Sequence, residues 1–455
     1  MWGAQRTFYF PAMVPPLRRT VAVIVVIVSC TCARSQSPAL VGYWHNWNDA
    51  GAPYIALDQI DPRYNVIELA FAEPIAGTTS AIEFVPQFEV PAVFMAQVAA
   101  QRALGKKVVI SIGGANATVQ LNNLAERDQF VYLTMSMLLT WGADGIDLDL
   151  EGSSVSITGG TISAPVDSTM IRLISAVQEI MVEYRQATGN KLFLTMAPET
   201  AFVQGGQSAF GGIWGAYLPI IDALRDSLDI LQVQLYNSGS MYGIDGGIYT
   251  QGTADFIISQ TEAVIQGFNT SGGLFTGLQP EQVAVALPAC ALAAGGGYTD
   301  TATVLASMEY LLGEGPQPGS YTLVQPGGYP DLRGMMTWSI NWDAVSACNG
   351  MYSYAENFER IFDGLSTAVT SMGSNVLTVH PSPFTDHVTI TLPDDFGTGI
   401  IALRWIDAVG RAVRIDRVSR SGLIELETTS LHTGVYVIEA TEGSGSRWRT
   451  RVVKE

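Results

Sequence analysis

The chain has 455 residues, 47% of them apolar and 15% charged, enough apolar material for a large core and a second domain, which excludes a wholly disordered protein. Its formal net charge of −18 and its four lysines exclude a nucleic-acid backbone as partner, because such binders gather Lys and Arg on one face. A neutral ligand is compatible with that balance.

Arg18 and Arg19 precede an apolar run over 21–30, followed by small and polar residues. Basic, apolar and small-residue zones in that order read as a secretory signal over 1–35; ten apolar residues are too few to span a bilayer. Ile27, Val28, Ser29 and Cys30 also resemble a lipobox, so a lipid anchor at Cys30 is the alternative. The protein is expected to be secreted or held at the outer cell surface. Past the signal, Cys290 and Cys348 are the remaining cysteines, a candidate disulfide in an exported chain, with two buried free thiols as the other reading. His45 is the one histidine in the first 365 positions, which disfavours a His-based triad or a His-rich metal site.

Between 38 and 365 one theme repeats: an apolar strand ending in polar or aromatic residues, then a helical stretch. Strands are expected at 40–45, 66–71, 107–112, 145–150, 192–197, 230–235, 283–287 and 334–339, with helices such as 128–141 and 168–188 between them. Eight such units fit a (β/α)8 barrel better than an open doubly wound sheet. The open sheet would carry a glycine-rich turn after its first strand, where this chain has Tyr43, Trp44, His45, Asn46 and Trp47. In a barrel, chemistry gathers at the carboxy-terminal strand ends. Those ends hold Tyr43, Trp44, Phe71, Ser111, Asp149, Glu151, Met196, Glu199, Gln234, Tyr236, Asn237 and Trp338. A linker is expected over 366–375, then a small antiparallel β-sandwich over 376–455.

The fourth strand carries the strongest chemical signal. Asp147, Asp149 and Glu151 stand at alternate positions of an apolar run, so they share one face while Ile146, Leu148 and Leu150 take the other. Neighbouring carboxylates lie roughly 7 Å apart along the backbone. Burying three acids on one face costs desolvation and repulsion and drives at least one towards its neutral form, which is what a general acid needs.

Asp144, Asp147, Asp149 and Glu151 together resemble the DxxDxDxE signature of family 18 glycoside hydrolases, the chitinases. Ser111, Gly113 and Gly114 resemble that family's SxGG element, Met196 to Glu199 its fifth-strand end, and Gln234, Tyr236 and Asn237 its QxYN element. Trp338 sits where the family keeps an eighth-strand tryptophan. The resemblance implies a retaining mechanism in which the substrate's own N-acetyl group is the nucleophile. Glu151 would then be acid and base, Asp149 would steer the acetamido group, Asp147 would share its proton, and Tyr236 would bind the acetamido carbonyl. Trp338, Tyr43, Met196, Gln234 and Asn237 would contact substrate, with Asp144, Ser111, Gly113 and Gly114 as support. No cofactor and no metal is implied. The expected partners are chitin or N-acetylglucosamine oligosaccharides, met by a monomer. An endo-β-N-acetylglucosaminidase acting on N-glycans would share every one of these residues; an inactive chitin-binding lectin would lack need of Glu151. Only 43 residues separate Cys290 from Gly334, which leaves no room for the extra α+β domain of some chitinases and points to a shallow cleft and endo-type cutting. Placing Cys290 after the seventh strand and Cys348 after the eighth puts them at one end of the barrel and favours the disulfide. The last segment, with His380 to Asp386, Thr433 to Tyr436 and Arg451 to Lys454, resembles the type IX secretion sorting domains of Bacteroidota, and so implies that export machinery as partner.

Overall fold

Short runs rich in Val, Ile, Leu and Ala form the strands of the first unit, since apolar and β-branched residues suit a sheet covered on both faces. In the computed structural model these are β1 (Ala39–His45), β2 (Val66–Pro74), β3 (Lys107–Gly113), β4 (Gly145–Asp149), β5 (Phe193–Met196), β6 (Ile230–Leu231), β7 (Ala284–Pro288) and β8 (Gly334–Trp338). They pair in parallel in the order β7-β8-β1-β2-β3-β4-β5-β6. Bridges Leu231–Val283 and Gln234–Ala286 bring β6 back to β7, so the sheet curls into a barrel and the open-sheet alternative falls. Residues 38–362, 377–392, 400–407, 412–419, 423–441 and 447–455 are described. The expected signal over 1–35, Cys30 with its anchor, and the 366–375 linker lie outside the described residues. The chain divides into two compact units after Phe362.

Helices follow seven of the strands: α1 (Pro91–Ala103), α2 (Leu124–Trp141), α3 (Ser168–Thr188), α4 (Leu218–Leu224), α5 (Ala254–Gln266), α6 (Thr301–Leu312) and α7 (Ser353–Phe362). Helix α2 begins four residues before the expected 128. Asn123 caps it by accepting the Glu126 N–H at 3.0 Å, and Gly142 ends it in the left-handed region at φ 67°. Alternation along the strands creates two cores. Ile146, Leu148 and Leu150 pack outward against the helices, while Val41, Tyr43, Val66, Ala70, Val109 and Met336 fill the barrel interior.

The sixth strand departs from the expected 230–235. The regular strand ends at Leu231; beyond it the bridges Glu199–Gln234 and Gln234–Ala286 and single backbone bonds from Gln232, Gln234 and Leu235 carry the pairing on. The side chains of Gln232 and Gln234 turn onto carboxylates.

The second unit is two antiparallel sheets. One joins β9 (Thr378–His380), β10 (His387–Thr391) and β13 (Leu423–Glu427); the other runs β12 (Ala412–Ser419), β11 (Ile400–Asp407), β14 (Gly434–Thr441), β15 (Arg447–Lys454). Trp405, Phe384, Val388, Ile390 and Ile438 are buried between them. Trp405 therefore serves packing and presents no ring for a sugar to stack on.

Candidate active site

Register builds the site. Ser111 on β3, Asp147 on β4 and Thr195 on β5 stand side by side, so three polar side chains meet at one level inside the barrel. Asp147 is fully buried. Its Oδ2 accepts the hydroxyls of Tyr43 and Ser111, each at 2.7 Å, and its Oδ1 accepts Thr195 at 2.8 Å. Burial pushes its carboxyl up, and these donors pull against that rise.

One step higher, Asp149 is held well above the usual carboxylate range, first by burial and then by the charges of Glu151 and Asp147. The Gln234 amide clamps Asp149 and Glu151, its Nε2 lying 3.0 Å from Asp149 Oδ1 and 3.0 Å from Glu151 Oε1. Tyr217 pins the backbone between them, its hydroxyl accepting the Leu150 N–H at 2.7 Å. Glu151 is half-buried and opens into a cleft of about 480 Å³. Asp149, Gln234, Tyr236, Asn237 and Trp338 line the same cleft. The Tyr236 hydroxyl donates to no other described residue and stays available to a ligand, and burial raises its pKa far enough to keep it protonated. Phe71 stacks on Trp338 with centroids 5.8 Å apart and planes at 10°, giving the cleft an aromatic floor; Trp47 stacks on Phe71 at 6.1 Å. Flat apolar rings of this kind match the C–H faces of sugars.

Glycine is required beneath the acids. Gly113 has φ +119°, and a Cβ there would lie 2.1 Å from the Asp149 carbonyl oxygen; at Gly114, with φ +88°, it would meet the Phe71 ring at 2.8 Å. The Gly114 N–H donates to that same Asp149 carbonyl at 2.8 Å. Asp144 lies at the opposite end of β4, accepting the Val108 N–H and pairing with Arg102 at 3.1 Å, so it fastens the strand and stays far from the chemistry.

Two expected cleft residues are corrected. Met196 is fully buried in the layer between strands and helices, because its neighbour Thr195 takes the inward position and alternation sends Met196 outward. Trp44 faces outward for the same reason. Tyr43 points inward but lies below the cleft floor, bonded to Asp147 and packed under Phe71 and Trp338. The residue types resembled a pocket wall; strand register decided otherwise. Several cleft residues were missed: Trp47, Gln87, Asn116 and Ala293, on loops whose course no strand pattern foretells, and Glu73 near the end of β2, beyond the expected 66–71. Glu199 also lines the cleft, its carboxyl raised by burial and by Glu151. Among the described residues, no group of three or more His, Cys, Asp or Glu side chains is arranged to hold a metal ion.

Cys290 and Cys348 form a disulfide with Cα atoms 5.3 Å apart, buried beside Trp338 and Trp342. It closes a loop of sequence separation 58, for which chain entropy gives a stabilisation of about 4 kcal/mol. The Cys290→Ser/Cys348→Ser variant is therefore expected to melt several degrees below the parent in scanning calorimetry, and an unchanged Tm would contradict this.

A barrel whose fourth strand feeds a graded series of acids into a half-open aromatic cleft defines an acid–base site for a neutral, ring-bearing ligand. Residues 39–357 match the glycosyl hydrolases family 18, and the chain belongs to that family. Residues 378–455 match the secretion system C-terminal sorting domain, so the second unit carries an export address. Chitinase D of Niallia circulans is 44% identical over 342 residues, covering 74% of this chain and 64% of that protein. A chitinase of Paenibacillus xylanexedens is 43% identical over 336 residues, covering 73% and 62%. The chain thus spans less than two thirds of the length of these relatives. The crystal structure of a family 18 chitinase from Chromobacterium violaceum aligns with TM-score 0.63 and 38% identity, covering 72% of this chain and 83% of the other.

Proposed function

We propose that this protein is an exported, retaining chitinase that cleaves the β-1,4 linkages of N-acetylglucosamine polymers with the substrate's N-acetyl group as nucleophile. The observation that carries this reading is the Gln234 clamp: one amide holds Asp149 and Glu151 together, and both line one cleft with an unengaged Tyr236 hydroxyl. Glu151 gives its proton to the departing glycosidic oxygen and then takes one from the attacking water. Asp149, facing Glu151, accepts the acetamido N–H and offsets the positive charge of the oxazolinium-like intermediate. Tyr236 donates to the acetamido oxygen and aims it at the anomeric carbon. Trp338 supports the sugar ring that bears this group, with Gln234 and Asn237 at its edges. Asp147 shares a proton with Asp149 from below, so the acids titrate as a cluster.

Between Cys290 and Gly334 the chain forms helix α6 and loops, brings Ala293 to the cleft lining and adds no further domain there. That supports cutting within a polymer rather than from its end. Incubation with chitohexaose and, in parallel, with a high-mannose glycoprotein tests the reading by mass spectrometry and anomeric NMR. Dimers to tetramers released initially as β-anomers are expected from chitohexaose. Initial α-anomers would overturn retention, and glycan release without chitohexaose cleavage would move the assignment to an endo-β-N-acetylglucosaminidase.

A further inference from the structure

A fourth carboxyl stands inside the barrel. Glu68, in the middle of β2, is fully buried beside Asp147. Its Oε1 accepts the Gln232 amide at 2.7 Å and lies 2.9 Å from Thr195 Oγ1, while its Oε2 has no partner. Thr195 Oγ1 is also 2.8 Å from Asp147 Oδ1. A threonine hydroxyl has one proton to give, yet it sits at hydrogen-bond distance from two carboxyl oxygens. Were both acids ionised, one of those contacts would set lone pair against lone pair. One additional proton satisfies both: one acid donates to Thr195, and Thr195 donates to the other.

The surroundings decide which acid holds it. Asp147 accepts two further hydroxyls, from Tyr43 and Ser111, and these favour its charged form. Glu68 has one amide donor and a bare oxygen, so its charge is the poorer solvated. The titratable groups facing it are Tyr43 on β1, Asp147 and Asp149 on β4, and Tyr236 beyond β6. Acids and phenols surround it, and none brings positive charge.

We propose that Glu68 is a positioning residue that stores one proton for the catalytic acids and passes it through the Thr195 hydroxyl to Asp147. The transfer is a double hop: Thr195 gives its proton to Asp147 Oδ1 as the Glu68 proton moves to Thr195 Oγ1, leaving Glu68 ionised and Asp147 neutral. Neutral Asp147 relieves Asp149 of a repulsive neighbour at the stage when Asp149 must be an anion. Burial and the charge of Asp147 push Glu68 well above the ordinary carboxylate range, in keeping with a stored proton near neutral pH. The proposal rests on the chitinase reading for its role in turnover, but not for the protonation itself.

Two measurements separate those parts. Infrared difference spectroscopy of the parent against Glu68→Gln at pH 7 reads the carbonyl stretch of a neutral carboxyl and needs no activity. Loss of such a band is expected; its absence from the parent overturns the proposal even if chitin is cleaved. Glu68→Gln supplies a fixed neutral donor, so no fourth negative charge develops at high pH and the acid cluster gives up its catalytic proton more easily. The alkaline limb of kcat/KM is then expected to move down by about 0.5–1 pH unit. Thr195→Val, which cuts the bridge, should shift the same limb, and Thr195→Ser should restore it. If all three variants keep the parent's limb, or if Thr195→Ser behaves as Thr195→Val, Glu68 fills space only.

Discussion

Replacing Glu151 with Gln is expected to lower kcat/KM on chitohexaose by about 10³–10⁴-fold, or about 4–5.5 kcal/mol of transition-state stabilisation, while oligomer binding by calorimetry changes little. The substitution preserves volume, and its amide oxygen can still accept from Gln234, which now lies 3.0 Å from Glu151 Oε1. What vanishes is a proton that can leave. The glycosidic oxygen then departs as a poor leaving group, because the proposed mechanism commits Asp149 to the acetamido group and leaves no proton donor at the position of Glu151. Turnover equal to the parent's would sink the mechanism. Loss of binding together with turnover would instead show that Glu151 holds the ligand.

The ladder of acids was legible because period-two alternation on an apolar strand leaves little freedom: once Ile146, Leu148 and Leu150 face the helices, Asp147 and Asp149 must face inward. The strand order was legible from eight repeats of one pattern. Facing was harder where the strand is short. Nothing in the run around Met196 says whether Thr195 or Met196 turns inward; the pairing Asp147–Thr195 decides it, and pairing is a property of two strands. Depth was hidden too. Tyr43 and Trp338 both close apolar runs, yet one lies under the floor and the other forms it. Glu68 left a readable trace that was passed over. Val66, Glu68 and Ala70 alternate with Ile67 and Leu69, so an acid stands on a face otherwise lined by small apolar side chains. A lone carboxylate in a doubly covered strand must find donors or stay neutral, and Gln232, the first residue of β6's irregular continuation, is the donor it finds.

The Asp149→Asn variant is expected to lose about 10²–10³-fold in kcat with KM nearly unchanged, because the missing charge matters only once a cationic intermediate forms. Asparagine still offers an oxygen to Gln234, so the clamp survives and the substrate still docks. Stability should move the other way. A carboxyl whose folded pKa lies above its unfolded value favours the folded state fully only below about pH 4, and that contribution fades as pH rises through the folded pKa. Asp149 is raised by burial and by Glu151 and Asp147, so in the parent this loss operates at neutral and alkaline pH. Asparagine has no proton to lose. The Tm of the variant minus that of the parent should therefore be more positive at pH 8 than at pH 4, with calorimetry at both values as the check. A protein that trades folding stability for an anion under its substrate must show both effects together. A variant that keeps its kcat, or that melts lower by the same margin at both pH values, would mean that the aspartate serves the fold and not the reaction.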